Sequence, residues 1–124
     1  MYQKIIYFFL ILFLFFSCSK KEPVVVQEFS DKEKAMEIYQ EAINNLDDGF
    51  YFQAAKQFSE AEIILDKIEF SARASLMSSY CYYLINFYDE AIENLEKFIK
   101  KYPVDKNIPY AHYLITISYY ERIF

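Results

Sequence analysis

The sequence repeats itself at an interval of 37 residues, and this repeat limits the fold more than any other feature of the chain. The matched pairs include Tyr51 with Tyr88, Ala54 with Ala91, and Phe58 with Leu95. Intervals of about 20–50 residues are typical of proteins in which each unit is a small motif that buries its apolar face on its neighbours. The sequence therefore predicts a stack of similar units.

Each unit is predicted to consist of a helix, a short turn and a second helix. Apolar residues recur at the three- and four-residue spacings of an amphipathic helix. The predicted helices cover about residues 31–47, 51–65, 71–85, 88–102 and 107–124. A chain of 124 residues with one glycine and three prolines lacks the turn residues that many short strands need, so we expect an all-α fold.

Residues at the ends of the first helix support this division. Ser30 and Glu33 match the Ser-x-x-Glu capping box, which satisfies free amides at a helix start. The preceding residues 22–29 contain Pro23 and three consecutive valines, so they are predicted to be extended. Gly49 follows the helix at the position where a left-handed cap is favourable.

The second helix of each unit resembles the second half of a tetratricopeptide repeat. The matching positions are Tyr51, Ala54, Phe58 and Ala61 in one unit, and Tyr88, Ala91 and Leu95, followed by Pro103, in the next. The resemblance implies a helical-hairpin solenoid with units at about residues 35–71 and 72–108 and a partial unit at 109–124. About three units are needed for a stable solenoid, so we expect this region, residues 30–124, to belong to a longer protein.

The first 18 residues are predicted to direct and anchor the protein. Lys4 precedes an unbroken apolar run of 12 residues, Ile5 to Phe16, which is shorter than the roughly 20 residues of a membrane-spanning helix. Cys18 follows after one serine, and this ending resembles the lipobox of bacterial lipoproteins, in which the cysteine is lipidated. The resemblance implies a signal peptide at residues 1–17 and a lipidated linker at 18–29, with an uncleaved apolar anchor as the alternative.

The composition offers little for catalysis or metal binding. One histidine and two cysteines are too few for a His/Cys zinc site, and one glycine cannot build a phosphate-binding loop. A net charge of −5 disfavours nucleic-acid binding, which needs a basic surface. We therefore expect no cofactor, no metal site and no enzymatic activity from these residues, and we interpret Cys81 as a buried, inert thiol.

Longer segments carry a more specific resemblance. They are Tyr88-Asp89-Glu90-Ala91-Ile92, Leu95-Glu96-Lys97-Phe98-Ile99, Tyr102-Pro103 and Ala111-His112-Tyr113-Leu114. In this order and spacing they are similar to the N-terminal half of the BamD family, which comprises lipoproteins of the outer-membrane β-barrel assembly (BAM) machinery. The resemblance implies a non-enzymatic protein on the periplasmic face of the outer membrane. Its implied partners are the barrel subunit BamA, other subunits of the complex and unfolded β-barrel clients.

The family resemblance implies a groove for extended, aromatic client segments, lined by the first helix of each unit. Aligning the units gives the candidate residues Tyr39, Arg73, Leu76, Tyr80, Tyr83, Tyr110, Tyr113 and Tyr120. A tyrosine offers a broad apolar face and a hydroxyl for the client backbone, and Arg73 is suited to a terminal carboxylate. The alternative is that several of these tyrosines are ordinary core residues and that Arg73 is a solvated charge.

Two other functions stay open at this point. One is another periplasmic repeat-scaffold lipoprotein that coordinates cell-envelope or division processes, and association with BamA would distinguish it. The other is an enzyme whose catalytic domain lies outside these residues. Further 37-residue units downstream would favour the assembly function over the enzyme.

Overall fold

The computed structural model describes residues 25–123, and these residues form five helices and no strand. The helices are α1 (Val25–Asp47), α2 (Tyr51–Ile64), α3 (Ile68–Leu84), α4 (Tyr88–Lys101) and α5 (Ile108–Glu121). The all-α prediction is confirmed. The predicted signal peptide and Cys18 lie outside the described residues. None of the described helices has the length and hydrophobicity required to cross a membrane.

α1 begins earlier than the sequence predicted. Its first residue is Val25, so Ser30 lies inside the helix and the capping-box prediction is wrong. The extended conformation predicted for residues 22–29 is also wrong from Val25 onward. β-branched residues lower helix propensity by only about 0.7 kcal/mol or less each, which does not stop a helix that continues into a favourable sequence.

α3 also begins earlier than predicted, at Ile68 rather than Ser71. The hydroxyl of Ser71 donates a hydrogen bond to the carbonyl oxygen of Leu65 at 2.8 Å. Leu65 is the C-terminal cap of α2, so this serine satisfies an acceptor at the end of one helix from inside the next. A serine that looks like a helix start in the sequence therefore joins two helices instead.

The two turns between the helices of a unit have the same geometry. The N–H of Gly49 donates to the carbonyl of Leu46, and the N–H of Phe50 donates to that of Asn45. In the second unit the same two bonds join Asn86 to Tyr83 and Phe87 to Tyr82. Both turns are Schellman motifs, in which the residue after the helix adopts positive φ. The prediction of a left-handed cap at Gly49 is confirmed, with φ at +84°.

Small residues allow the helices to approach closely. Ala42 of α1, Ala54 of α2, Ser79 of α3 and Ala91 of α4 are all fully buried. The large residues Phe58 and Phe98 fill the remaining space and are also fully buried. Close-packed interiors of this kind lose stability when side-chain volume is removed.

α3 is the central element, and it is buried between neighbours on two sides. Ala74 and Cys81 belong to a core cluster shared with α1 and α2. Ala72 and Leu76 belong to a second cluster shared with α4 and α5. The two clusters meet on opposite sides of one helix, so α3 holds the successive units together.

A polar network also joins the two units at the second helices. The carboxylate of Glu62 on α2 accepts a hydrogen bond from the ammonium of Lys101 and one from the hydroxyl of Tyr102, each at 2.8 Å. Nearby, the hydroxyl of Ser78 on α3 donates to the carbonyl of Ala55 on α2 at 2.9 Å. These contacts fix the relative position of α2, α3 and α4 beyond what apolar packing provides.

Candidate peptide-binding groove

The predicted groove residues lie on the first helix of each unit, namely α1, α3 and α5. α3 packs against α5 as well as against its sequence neighbours. On α3, Arg73, Leu76, Tyr80 and Tyr83 follow one another at spacings of three and four residues, so they share one helix face. On α5, Tyr110, Tyr113 and Tyr120 also share one face.

Four of the predicted tyrosines form one cluster across α3 and α5. The rings of Tyr80 and Tyr83 are stacked with centroids 6.4 Å apart, and those of Tyr110 and Tyr113 with centroids 6.2 Å apart. Burial raises the pKa of the Tyr83 hydroxyl, and the neighbouring hydroxyls, including that of Tyr113, raise it further. Burial and the nearby Tyr80, Tyr113 and Tyr83 raise the pKa of Tyr110 in the same way. Residues 30 positions apart in the chain are therefore brought together.

The cluster presents aromatic faces to solvent. Tyr80 and Tyr83 are half-buried, whereas Tyr110 and Tyr113 are exposed to 42% and 57%. Tyrosine in this state has an apolar body that can be covered by a ligand and a hydroxyl that can stay hydrogen-bonded. Tyr110 and Tyr113 are therefore the members of the cluster that least resemble ordinary core residues.

A second feature of the groove lies between α1 and α3. The half-buried ring of Tyr39 packs edge-on against Phe58 with centroids 5.3 Å apart. Burial raises the pKa of the Tyr39 hydroxyl, and the adjacent guanidinium of Arg73 opposes this rise by its charge and by a hydrogen bond. Arg73 itself is exposed, so its planar donors can reach a ligand while Tyr39 limits the positions it adopts.

Two candidates differ from the others in their surroundings. Leu76 is only 6% exposed and belongs to the core cluster with Leu95 and Phe98, so it supports the groove from below and offers almost no surface. Tyr120 is exposed at the last turn of α5, beyond the four-tyrosine cluster. The structure thus places five of the predicted tyrosines and Arg73 in two groups, the four-tyrosine cluster and the pair of Tyr39 with Arg73.

The structure adds two residues that the sequence reasoning did not assign to the groove. Tyr88, the first residue of α4, lies with its ring centroid 5.9 Å from that of Tyr83. Glu121 contributes a negative charge that raises the pKa of Tyr83. In the sequence Tyr88 stands out only as the repeat match of Tyr51, and the turn that brings α4 back beside α3 creates its contact with Tyr83.

Two side chains of types that often act in catalysis, Cys81 and His112, occur among the described residues. Burial raises the pKa of the Cys81 thiol to about 12, which leaves it unsuited to act as a nucleophile. His112 is exposed on α5. Within residues 25–123, no group of three His, Cys, Asp or Glu side chains could hold a metal ion. The exposed tyrosines and Arg73 offer aromatic surface and one cationic group.

Comparison with known proteins identifies the family of this chain. The family model described as the outer membrane lipoprotein YfiO matches residues 31–124. The chain belongs to this family. The BamD resemblance predicted from the sequence is confirmed by two curated relatives, each called outer membrane protein assembly factor BamD. No solved structure matches the chain with significance.

The two relatives match most of this chain but a small part of their own length. The protein from Caulobacter vibrioides is 36% identical over 104 residues, which are 83% of this chain and 33% of the relative. The protein from Rickettsia prowazekii is 36% identical over 86 residues, which are 69% of this chain and 34% of the relative. The chain therefore spans about a third of the length of these BamD proteins and corresponds to an N-terminal region of the family.

Proposed function

We propose that this chain is the client-receiving region of a non-enzymatic outer-membrane lipoprotein that helps the BAM complex to recognise and insert β-barrel proteins. The observation that carries the proposal is the cluster of Tyr80, Tyr83, Tyr110 and Tyr113 on the face shared by α3 and α5. Family membership supports it, because the relatives are named as outer membrane protein assembly factors.

The cluster would bind a client through its aromatic faces. The terminal strand of a β-barrel is extended and alternates apolar or aromatic side chains with polar ones. Rings held in fixed pairs lose little conformational freedom when they are covered, and tyrosine is among the residues that contribute most to binding surfaces. The tyrosine hydroxyls at the rim would then bond the client backbone, whose groups are unpaired before the strand enters a sheet.

Arg73 would set the direction of the bound segment. Tyr80 lies two helical turns, or roughly 10 Å, along α3 from Arg73. About three residues of extended chain cover this distance. If the terminal carboxylate of a client pairs with Arg73, the client side chain about three residues upstream would lie over the tyrosine cluster. Client residues farther upstream would then lie over Tyr83 and α5.

The lipid anchor and the partners form the remaining part of the proposal. Lipidation at Cys18 would hold the repeats at the periplasmic face of the outer membrane, and several acyl chains hold a protein far more firmly than one. BamA and the other subunits would dock elsewhere on the full-length protein. A scaffold for another envelope process is the competing function, and nothing in the geometry of the groove favours it.

Peptide binding tests the groove directly. The full-length lipidated protein, held in nanodiscs of zwitterionic lipid, is titrated into a fluorescent peptide of about ten residues that alternates apolar and polar residues and ends in phenylalanine. We expect replacement of both Tyr110 and Tyr113 by serine to weaken binding about tenfold. The matched control is Tyr119→Ser, which removes an exposed tyrosine of the same helix at a position outside the groove. The proposal would be contradicted if the double variant and the control lost the same peptide affinity, or if neither lost any.

Partner recovery tests the cellular role. The full-length protein is purified from its own envelope under conditions that keep complexes intact. Recovery of BamA is expected in amounts that the Tyr110 and Tyr113 changes leave unaltered, since the groove is reserved for clients. Recovery of a different envelope complex without BamA would favour the scaffold function instead.

A further inference from the structure

A second aromatic surface lies at the turns, apart from the groove. Phe50 and Phe87 are the N-terminal cap residues of α2 and α4, and Phe52 lies in the first turn of α2. Their exposed fractions are 57%, 44% and 47%, respectively. We call these three residues the turn edge. Together they expose about 300 Å² of aromatic surface, comparable to the largest apolar patch on a typical monomer.

The turn edge is continuous across two units. The ring of Phe52 lies edge-on to that of Phe87, with centroids 6.4 Å apart, and edge-on to that of Tyr82, with centroids 6.5 Å apart. Tyr82 is half-buried beneath them and packs against the first core cluster. The surface is therefore held in place by the core and by two rigid Schellman turns, which reduces the entropy lost when it is covered.

Repeat packing does not require an aromatic residue at Phe52. The equivalent position 37 residues later is Asp89, whose carboxylate instead pairs with Arg122 at 2.6 Å. The second unit is therefore formed without an aromatic ring at this position. Since the repeat is formed with either residue at this position, the half-exposed ring of Phe52 is available for a role outside the fold.

The charges around the turn edge limit what it can bind. Asp47 and Asp48 end the helix just before Phe50, and Glu90 follows Phe87 in the first turn of α4. None of these three carboxylates forms an ion pair within the described part of the chain. Lys56 stands over the ring of Phe52 at 5.4 Å. The rim is thus mainly negative, which disfavours anionic lipid and acidic segments.

We propose that the turn edge binds a segment of a partner protein whose apolar side chains are flanked by lysine or arginine. The rings of Phe52 and Phe87 would take the apolar side chains, and Asp47, Asp48 and Glu90 would face the basic ones. A compact aromatic centre with a charged rim is the arrangement in which a few residues supply most of the binding energy. This surface is separate from the four-tyrosine cluster, so the inference goes beyond the proposed client groove.

Binding of defined peptides tests this inference. The full-length lipidated protein in zwitterionic nanodiscs is titrated with a fluorescent peptide that carries three leucines flanked by lysines, and with a matched peptide in which glutamates replace the lysines. We expect the lysine peptide to bind at least about tenfold more tightly than the glutamate peptide. Changing Phe52 and Phe87 together to serine should weaken the lysine peptide by about tenfold.

Two further variants keep the result interpretable. Asp47→Asn with Asp48→Asn leaves every ring in place, and should weaken the lysine peptide and reduce its dependence on salt. Ile63→Ser, at an exposed position of α2 outside both surfaces, should leave the lysine peptide unaffected. Equal binding of both peptides, or binding that survives loss of both phenylalanines, overturns the proposal. Concentration-dependent dimerisation that disappears when both phenylalanines are replaced would also overturn it, because a second copy of the chain would then be the occupant. Adsorption to empty anionic vesicles that disappears with the same replacement would overturn it as well, because a lipid surface would then be the occupant.

Discussion

Gly49 and Asn86 occupy the same position in successive units, 37 residues apart, and both have positive φ, at +84° and +63°. Each residue closes a Schellman motif with the same pair of backbone hydrogen bonds. Left-handed backbone costs glycine nothing and costs other residues roughly 1–2 kcal/mol, with asparagine among the most tolerant. The repeat therefore fixes the turn geometry, and the two sequences meet this requirement in different ways.

This equivalence predicts that Asn86→Gly stabilises the protein. The variant loses the hydrogen bond that the Tyr88 hydroxyl donates to the Asn86 side chain, but that bond is exposed and exchanges readily with water. We expect the free energy of unfolding to rise by about 0.5 kcal/mol, as measured by denaturant titration. Gly49→Ala is the matched opposite change, and should lower it by about 1 kcal/mol although no atom lies within 4 Å of the added methyl group. A loss of stability in Asn86→Gly would contradict the argument.

Phe58 and Phe52 lie on the same helix and should respond very differently to truncation. Phe58 is fully buried and contacts Tyr39, so Phe58→Ala should lower the free energy of unfolding by about 3–5 kcal/mol. Phe52→Ala should lower it by less than about 1 kcal/mol, because nearly half of the ring is already exposed. Phe58→Leu provides a milder change if the alanine variant does not fold. Equal losses at the two positions would mean that the turn edge is structural.

The network at Glu62 predicts a pH-dependent contribution to stability. The hydrogen bond from Lys101 to Glu62 raises the pKa of that ammonium above 10.5, and burial raises the pKa of Tyr102 above 10.0. The folded state thus holds both protons more tightly than the unfolded state. Their contribution is fully present below the ordinary pKa values and is lost as the pH rises through the raised ones.

Glu62→Gln measures this contribution. At pH 7 we expect the variant to be less stable by about 0.5 kcal/mol, a small value because the Lys101 side chain is largely exposed. The difference should disappear in denaturant titrations as the pH rises above about 10.5. Glu93→Gln, which breaks the fully solvated pair with Lys97, should have no measurable effect. A difference that grows with pH would contradict the assignment.

Cys81 should be inert until the protein unfolds. Its thiol is fully buried between α1, α2 and α3, and burial raises its pKa to about 12, so almost no thiolate exists at pH 8. A thiol reagent should label Cys81 at the rate of unfolding and immediately in denaturant. Lys100→Cys, at an exposed position, supplies a thiol that should react at once in the folded protein. Rapid labelling of Cys81 itself under native conditions would show that α3 opens locally.

The features that could be predicted from the sequence are those that depend on the repeat interval and on the spacing of apolar residues along each helix. The 37-residue interval gave the order of helices, and Gly49 identified the first turn. Asn86 could have been identified by the same interval, because it stands where the glycine would be. The start of α1 at Val25 could not be identified in this way. Valines lower helix propensity only slightly, so the residues that follow them determine whether the helix includes them.

The site was harder to predict than the fold, because neighbouring positions on one helix face different partners. Leu76 shares the spacing of Tyr80 and Tyr83, yet it is buried against α4 and α5. Around the helix axis Leu76 lies between Tyr83 and Tyr80, so spacing alone does not separate the core residue from the two tyrosines. The contact between Phe52 and Phe87 joins two units, so the surroundings of Phe52 could not be predicted from its neighbours in the sequence either.

The pairing of Tyr39 with Arg73 predicts how the groove distinguishes a chain terminus. If Arg73 binds the terminal carboxylate of a client, a peptide with a free carboxylate should bind the full-length protein several-fold more tightly than its amide. Arg73→Ala should remove that preference while leaving the affinity for the amide peptide nearly unchanged. Arg73→Lys should restore only part of it, because an ammonium cannot form the two parallel bonds of a guanidinium. The same Arg73→Ala change should raise the pKa of Tyr39 further, since the guanidinium lowers it in the parent protein, and tyrosine titration by NMR measures that shift. An unchanged preference for the carboxylate, together with the expected rise in the pKa of Tyr39, would show that Arg73 orders the tyrosine but does not contact the client.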